Sequence, residues 1–251
     1  MGEEAKAVVG ANAKRSTKSD PGLLIGGFGF SEGARAPSAD IYQYSFDDDR
    51  FTPMGALPQP RSQAGLVESG GDLWLFGGWD HDAKRPKEDA SRYFTDVLRF
   101  TPMEGSLASS PCAAKIPRIR RAFGGALLGD RYYMIGGLGD SFDMVEICDV
   151  YDFARGTFDT IPAPATVRVN PEVCALNGKL YMFGGTALGG GDGGRTVESL
   201  EGVRPRDARV AHRRRPRRRH HAADANVCFR GAAPVCDHQR SEAPGAHDHV
   251  A

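Results

Sequence analysis

The sequence predicts an all-β propeller, present as about four four-stranded blades and therefore incomplete, followed by a disordered tail. Three observations predict it. Four segments align on one pattern: "GLLIGG" ending at Gly27, "LWLFGG" at Gly78, "YYMIGG" at Gly137 and "LYMFGG" at Gly185. The first glycines of these pairs are 51, 59 and 48 residues apart, and a period near 50 indicates a propeller array rather than a doubly wound sheet. Between the repeats lie strand-length apolar runs separated by turn signals. Finally, the composition changes sharply after Glu201.

Each repeat contains the parts of an antiparallel blade. An inner strand comes first, as "AKAVVG", "QAGLVES", "AFGGALLG" and "EVCAL". A tight turn follows, as in Gly70–Asp72, "LGDR" and "NGK". The strand ending in Gly-Gly is apolar almost throughout, which fits a strand covered on both faces. Glycine pairs weaken a strand, so their recurrence at Gly26/Gly27, Gly77/Gly78, Gly136/Gly137 and Gly184/Gly185 implies close backbone approach or a forced bend. A third strand then carries an aromatic residue, with a second large apolar residue seven positions on: Tyr44/Phe51, Phe100/Leu107 and Tyr151/Phe158. These pairs are expected to anchor strands three and four of one blade to the next. The blades fall at about 5–57, 58–115, 116–163 and, incompletely, 164–201.

An apolar strand, a diglycine, and then Tyr-x6-Trp resembles the kelch repeat. The resemblance covers residues 5–201, with Phe51, Leu107 and Phe158 in the tryptophan position. It implies a rigid scaffold whose loops bind a partner. It also implies a longer parent, because kelch domains usually close with about five to seven blades. An open arc would leave two apolar faces uncovered. A closed propeller would be a monomer.

The zero net charge is a cancellation. Residues 1–201 hold 21 Lys+Arg against 27 Asp+Glu, whereas residues 202–251 hold 11 arginines against 5 acids. Past Glu201 there is no Leu, Ile, Met, Tyr or Trp, so the segment 202–251 cannot bury enough apolar surface to offset chain entropy. Its run "RRRPRRRHH" resembles a nucleic-acid tail. A different origin accounts for it better. Suppose four-fold codons for Arg, Gly, Val, Pro and Ala, and read one base further on from Gly202. The codons can then encode Val-Tyr-Asp-Pro-x-Thr-x-x-Trp-x-Thr, the missing third and fourth strands of the last repeat. The tail is therefore expected to be an out-of-frame product, with no nucleic-acid partner.

Catalytic signatures are sparse. His81 is the single histidine before residue 212, so the repeats hold no multi-histidine metal site, and neither metal nor cofactor is expected. "GGTALGGGDGGRT" lacks the Lys-Ser/Thr of a phosphate loop and reads as a connection between strands. "FDDDRF" reads as an acidic turn between strands three and four. Five cysteines without a C-x-x-C pair read as small buried thiols. No apolar run of 18 residues is present, so no membrane span is expected, and the polar start gives a cytoplasmic protein as written, or an exported one if residues precede it.

A binding surface remains. Propeller loops gather at one end of the sheets, and the connections "PQPR", "WDHDAKRPKEDASRY" and "KIPRIRRAF" supply Arg61, Trp79, Asp80, His81, Arg118 and Arg120 as candidate contacts to a protein or carbohydrate partner. For the arginines, bridging of blades through loop carbonyls is the competing expectation. The main reading is a non-catalytic binding protein, or an inactive fragment of one. The alternative is a carbohydrate-active enzyme resembling sialic-acid mutarotases.

Overall fold

The computed structural model describes residues 12–15, 22–31, 34–82, 86, 89–103, 106–188, 194–203, 211–213 and 227–229. The described chain is nearly all strand and forms four antiparallel sheets in succession. The first contains β1 (Asn12–Arg15), β2 (Gly22–Ser31), β3 (Ala34–Ser45) and β4 (Arg50–Ala56). The second contains β5 (Gly65–Ser69), β6 (Asp72–Phe76), β7 (Asp96–Met103) and β8 (Ser106–Lys115). The third contains β9 (Gly124–Leu128), β10 (Arg131–Ile135), β11 (Ile147–Asp152) and β12 (Thr157–Pro162). The fourth begins with β13 (Glu172–Leu176) and β14 (Lys179–Phe183), then a two-residue ladder of β15 (Thr186–Ala187) with β16 (Arg195–Thr196), and continues with β17 (Leu200–Val203) and β18 (Ala211–Arg213). A last strand, β19 (Val227–Phe229), lies parallel to β1.

Each sheet is an up-and-down meander, and the inner strands β1, β5, β9 and β13 are neighbours in that order. This is the expected kelch-type propeller in incomplete form. The inner strand expected at "AKAVVG" lies outside the described residues, and Asn12–Arg15 pairs with β2 instead. The boundary expected at 201/202 falls inside β17, whose Gly202 pairs with Tyr181. Backbone ladder pairing needs no large side chain, so β17 forms across the compositional break. The rest of the tail, apart from β18 and β19, lies outside the described residues.

Alternating side chains give every sheet one face toward the blade before it and one toward the blade after it. Ile25 and Ile41 of the first sheet pack on Leu57, Ala64, Leu73, Leu75, Leu98 and Phe100 of the second. Val67, Phe76 and Val97 of the second meet Phe123, Tyr132, Met134 and Tyr151 of the third. Ala126, Tyr133, Ile135, Cys148 and Val150 of the third meet Val173, Leu180, Met182 and Val203 of the fourth. The core is thus three successive interfaces between sheets.

The two outermost faces have no such cover among the described residues. On the fourth sheet, Cys174 and Leu176 are exposed where their counterparts Ala126 and Leu128 are packed, and Phe183 is exposed where Ile135 is buried. The expectation of buried thiols therefore holds for Cys148 and is corrected for Cys174: the strand register puts it on the uncovered face. On the first sheet Phe46 and Phe51 are exposed.

Two of the three aromatic pairs sit directly opposite each other: Tyr44 faces Phe51 and Tyr151 faces Phe158, each pair with ring centroids 4.8 Å apart. The third differs. In the second sheet the turn lies between Met103 and Ser106, so Phe100 faces Ser109 and Leu107 faces Pro102. A seven-residue spacing makes a cross-strand pair only when the turn is centred within it. The acidic turn is present at Phe46–Asp49, where the Tyr44 hydroxyl donates to Asp49 Oδ1 at 2.5 Å.

Candidate functional site

Four arginines at the starts of the repeats divide into two kinds. Arg61, Arg120 and Arg168 each stand 16 residues before the first glycine of their own blade's pair and donate through Nη1 to that glycine's carbonyl: Gly77 at 3.3 Å, Gly136 at 2.5 Å and Gly184 at 3.2 Å. Each also meets a carboxylate on the third strand of the same sheet. Arg61 forks onto Asp96 at 2.7 and 3.0 Å, Arg120 reaches Asp149 Oδ2 at 2.8 Å, and Arg168 pairs with Glu201. All three are fully buried. Paired and hydrogen-bonded in this way, a buried guanidinium recovers its desolvation cost and fixes one arrangement of strands.

Arg61 and Arg120, expected as contacts to a partner, are thus placed within their blades, with Arg118 leaning 3.2 Å from the same Asp149. Arg168 was missed, although its 16-residue offset matches the other two.

The backbone of these arginines completes the joint with the previous blade. The arginine carbonyls accept from the second glycine of the preceding pair: Gly27 to Arg61 at 2.9 Å, Gly78 to Arg120 at 3.2 Å and Gly137 to Arg168 at 2.8 Å. A β-carbon on Gly26 would lie 2.5 Å from the Arg61 carbonyl oxygen, and one on Gly77 would lie 2.8 Å from that of Arg120. Close approach therefore explains these glycines, reinforced by φ of 61° at both. Gly184 has φ of 63° but open space around it, at the uncovered face.

Two residues beyond each arginine the chain turns inward. Gln63, Ala122 and Asn170 occupy equivalent places with φ of 55°, 54° and 49°, a region non-glycine residues seldom adopt. The Ala122 N–H donates to the Gln63 carbonyl at 3.1 Å, and the Asn170 N–H donates to the Ala122 carbonyl at 2.7 Å. These three residues form an inner rim just before the inner strands begin. Sequence reading passed over them, because left-handed backbone at Gln or Ala leaves no compositional trace.

Beside this rim the loops bring an aromatic and cationic stack together. Trp79 bridges Ser62 and Tyr93 through isolated ladder pairs, and its ring stacks on Tyr93 at 6.0 Å. The Arg121 guanidinium lies 4.2 Å from the Trp79 ring centroid and 4.3 Å from that of Phe142. Its Nη1 donates to Gln63 Oε1 at 3.2 Å. His81 packs on Phe28 at 4.1 Å, with Nδ1 3.3 Å from the Ser62 hydroxyl. Asp80 is buried and accepts from the Asp82 N–H at 2.9 Å, which shapes the loop.

Of the expected contacts, then, Trp79 and His81 share one place, while Asp80 turns into its own loop. Tyr93, Arg121 and Phe142 are additions from the structure. Burial pushes the Arg121 guanidinium down from its ordinary range, and the Arg92 charge adds to this.

No family model matches the chain. Kelch domain-containing protein 8B of Bos taurus is 23% identical over 155 residues, covering 62% of this chain and 44% of that protein. Kelch repeat and BTB domain-containing protein 13 of Homo sapiens is 36% identical over 99 residues, covering 39% of this chain and 21% of that protein. Alpha-scruin of Limulus polyphemus is 27% identical over 154 residues, or 59% of this chain and 16% of that protein. The chain therefore spans less than half the length of these relatives. Among solved structures, that of YjhT superposes with a TM-score of 0.63 at 13% identity, covering 83% of this chain and 66% of that one. At that identity the likeness is one of fold.

Proposed function

We propose that this chain, a propeller similar to kelch-repeat proteins, is a non-catalytic scaffold that holds a protein partner against its inner rim and loops. The observation that carries the reading is the stack at the loop end, where Trp79, Tyr93, Phe142 and Arg121 come together on rigid sheet ends. Tryptophan, tyrosine and arginine are the side chains that dominate binding energy at protein interfaces. Phe142 is 57% exposed with φ of 61°, an apolar ring held outward in a costly backbone conformation. The kelch names of the relatives agree with a role in interaction.

A photo-crosslinking amino acid tests the reading when placed at Asn170 on the rim and, separately, at Thr157 on the outer strand. In extracts of the source cells, the rim position is expected to yield discrete protein adducts and the outer position none. Adducts from Thr157 alone would remove the loop end as the contact face. Turnover of a free sugar by the purified protein would favour the enzymatic alternative.

A further inference from the structure

Arg121 differs from Arg61, Arg120 and Arg168 in having no carboxylate partner among the described residues. It is 2% exposed, yet its guanidinium makes one hydrogen bond among the described residues, to a neutral amide. Among the described residues its Nε and Nη2 have no partner, and neither has the neighbouring Trp79 Nε1. Arg61, Arg120 and Arg168 are equally buried, and each has a carboxylate. No carboxylate is among the described groups that bear on Arg121, and the Arg92 cation opposes its charge. A buried cation without a counter-charge is costly unless a ligand supplies one.

The unsatisfied atoms have a definite shape. Nε and Nη2 form one edge of the guanidinium, a two-pronged donor that matches the two oxygens of a carboxylate. Trp79 lies 4.2 Å and Phe142 4.3 Å from the same group, with their rings 6.2 Å apart and at 88° to each other, so they wall it on two adjoining sides. Phe142 is exposed and in left-handed backbone on a loop tied down by the Tyr93 hydroxyl, which donates to the Asp140 carbonyl at 2.8 Å.

We infer that the Trp79–Arg121–Phe142 stack is a carboxylate receptor that takes an Asp or Glu side chain of the protein partner on the Nε/Nη2 edge of Arg121 when Phe142 moves aside. The inference rests on the scaffold reading and names the chemistry of its partner.

The chain has two tryptophans, so Trp74→Phe leaves Trp79 as the reporter. In that background the test probe is the peptide acetyl-Gly-Glu-Gly-Glu-Gly-amide, compared with its Gln counterpart and with inorganic phosphate. The Glu peptide is expected to change Trp79 emission saturably, at least tenfold more tightly than either comparison. Arg121→Lys should weaken it about tenfold by losing the paired donors, and Arg121→Gln should abolish it. An equal response to the Gln peptide, tighter binding of phosphate, or an unchanged response in Arg121→Lys overturns the assignment.

Thermal melting is a second arm. Arg121→Met is expected to keep or raise the Tm, because it removes an uncompensated charge, whereas a large fall would make Arg121 a structural residue and overturn the proposal. Rim crosslinks that persist without Glu-peptide binding count against the carboxylate alone. Peptide binding without rim crosslinks counts against the scaffold reading.

Discussion

At the scale of single residues, charge placement separates structure from recognition. Asp149 neutralises the fully buried Arg120, so Asp149→Ala strands a charge in the third blade. The expected loss is about 3–5 kcal/mol, seen as a lower midpoint in urea. Glu172 has no such partner among the described residues. Burial raises its carboxyl to about 7, so the folded state holds a proton that the unfolded state releases near its ordinary value of 4.5. Between those two values the folded state binds more protons, and stability falls as pH rises. Melting curves from pH 4 to 8 should show a declining Tm that flattens above about 7, and Glu172→Gln should remove the decline. Arg61 and Arg120 were legible in the sequence as basic residues at repeat starts, with bonding to carbonyls as the competing expectation, but that the carbonyl is their own blade's diglycine was not. An arginine facing solvent and one folded back on its own diglycine carbonyl have the same neighbours in sequence, and only the third-strand carboxylate distinguishes them.

At the scale of the element, the diglycine is the unit that joins blades. Its strand, its turn and its spacing were readable because an apolar strand ending in two left-handed residues needs glycine there. What the glycines meet was not readable, since the partner carbonyl lies in the next repeat. Gly136 and Gly184 provide a matched comparison. A β-carbon at Gly136 would collide with the Arg168 carbonyl, whereas at Gly184 nothing lies within 4 Å. Gly184→Ala should therefore cost only the left-handed backbone, roughly 1–2 kcal/mol. Gly136→Ala should cost clearly more, since the main chain of the next blade must move, and equal midpoints in denaturant would refute the joint. The strand-three pairs show the reverse case. Phe100/Leu107 keeps the seven-residue spacing without the cross-strand pairing of the other two, because a displaced turn leaves spacing untouched while changing which residues face each other.

At the scale of the whole molecule, three interfaces hold four blades, and the two end faces are open among the described residues. Stability in such an array is a sum of nearest-neighbour terms, so the end blades should be the least protected. In hydrogen-exchange measurements Met182 and Leu180 of the fourth sheet should exchange before Met134 and Tyr132 of the third, although the ladders are alike. Uniform protection across the four sheets would contradict this. The register of β17 also relates the open face to the tail. Glu201, Gly202 and Val203 pair with Met182, Tyr181 and Leu180 as Asp149, Val150 and Tyr151 pair with Met134, Tyr133 and Tyr132. A coding frame displaced by one base at Gly202 would set Val, Tyr and Asp in the places equivalent to Val150, Tyr151 and Asp152. The repeat and the compositional break were both legible in the sequence. That register was not, because strand pairing leaves no mark in composition.

The joint from diglycine to arginine also gives the array a mechanical polarity. Every latch reaches forward, from the second glycine of one blade to the arginine carbonyl of the next, so each blade is clasped from behind by the one before it. Tension applied to the end at Val203 bears first on the Gly137–Arg168 clasp, then on Gly78–Arg120, and last on Gly27–Arg61. The blades should therefore let go one at a time from the C-terminal side, paying out chain in lengths set by the spacing of the glycine pairs. The same clasps make the first blade, which has no arginine held by an earlier pair among the described residues, the anchor from which the others hang.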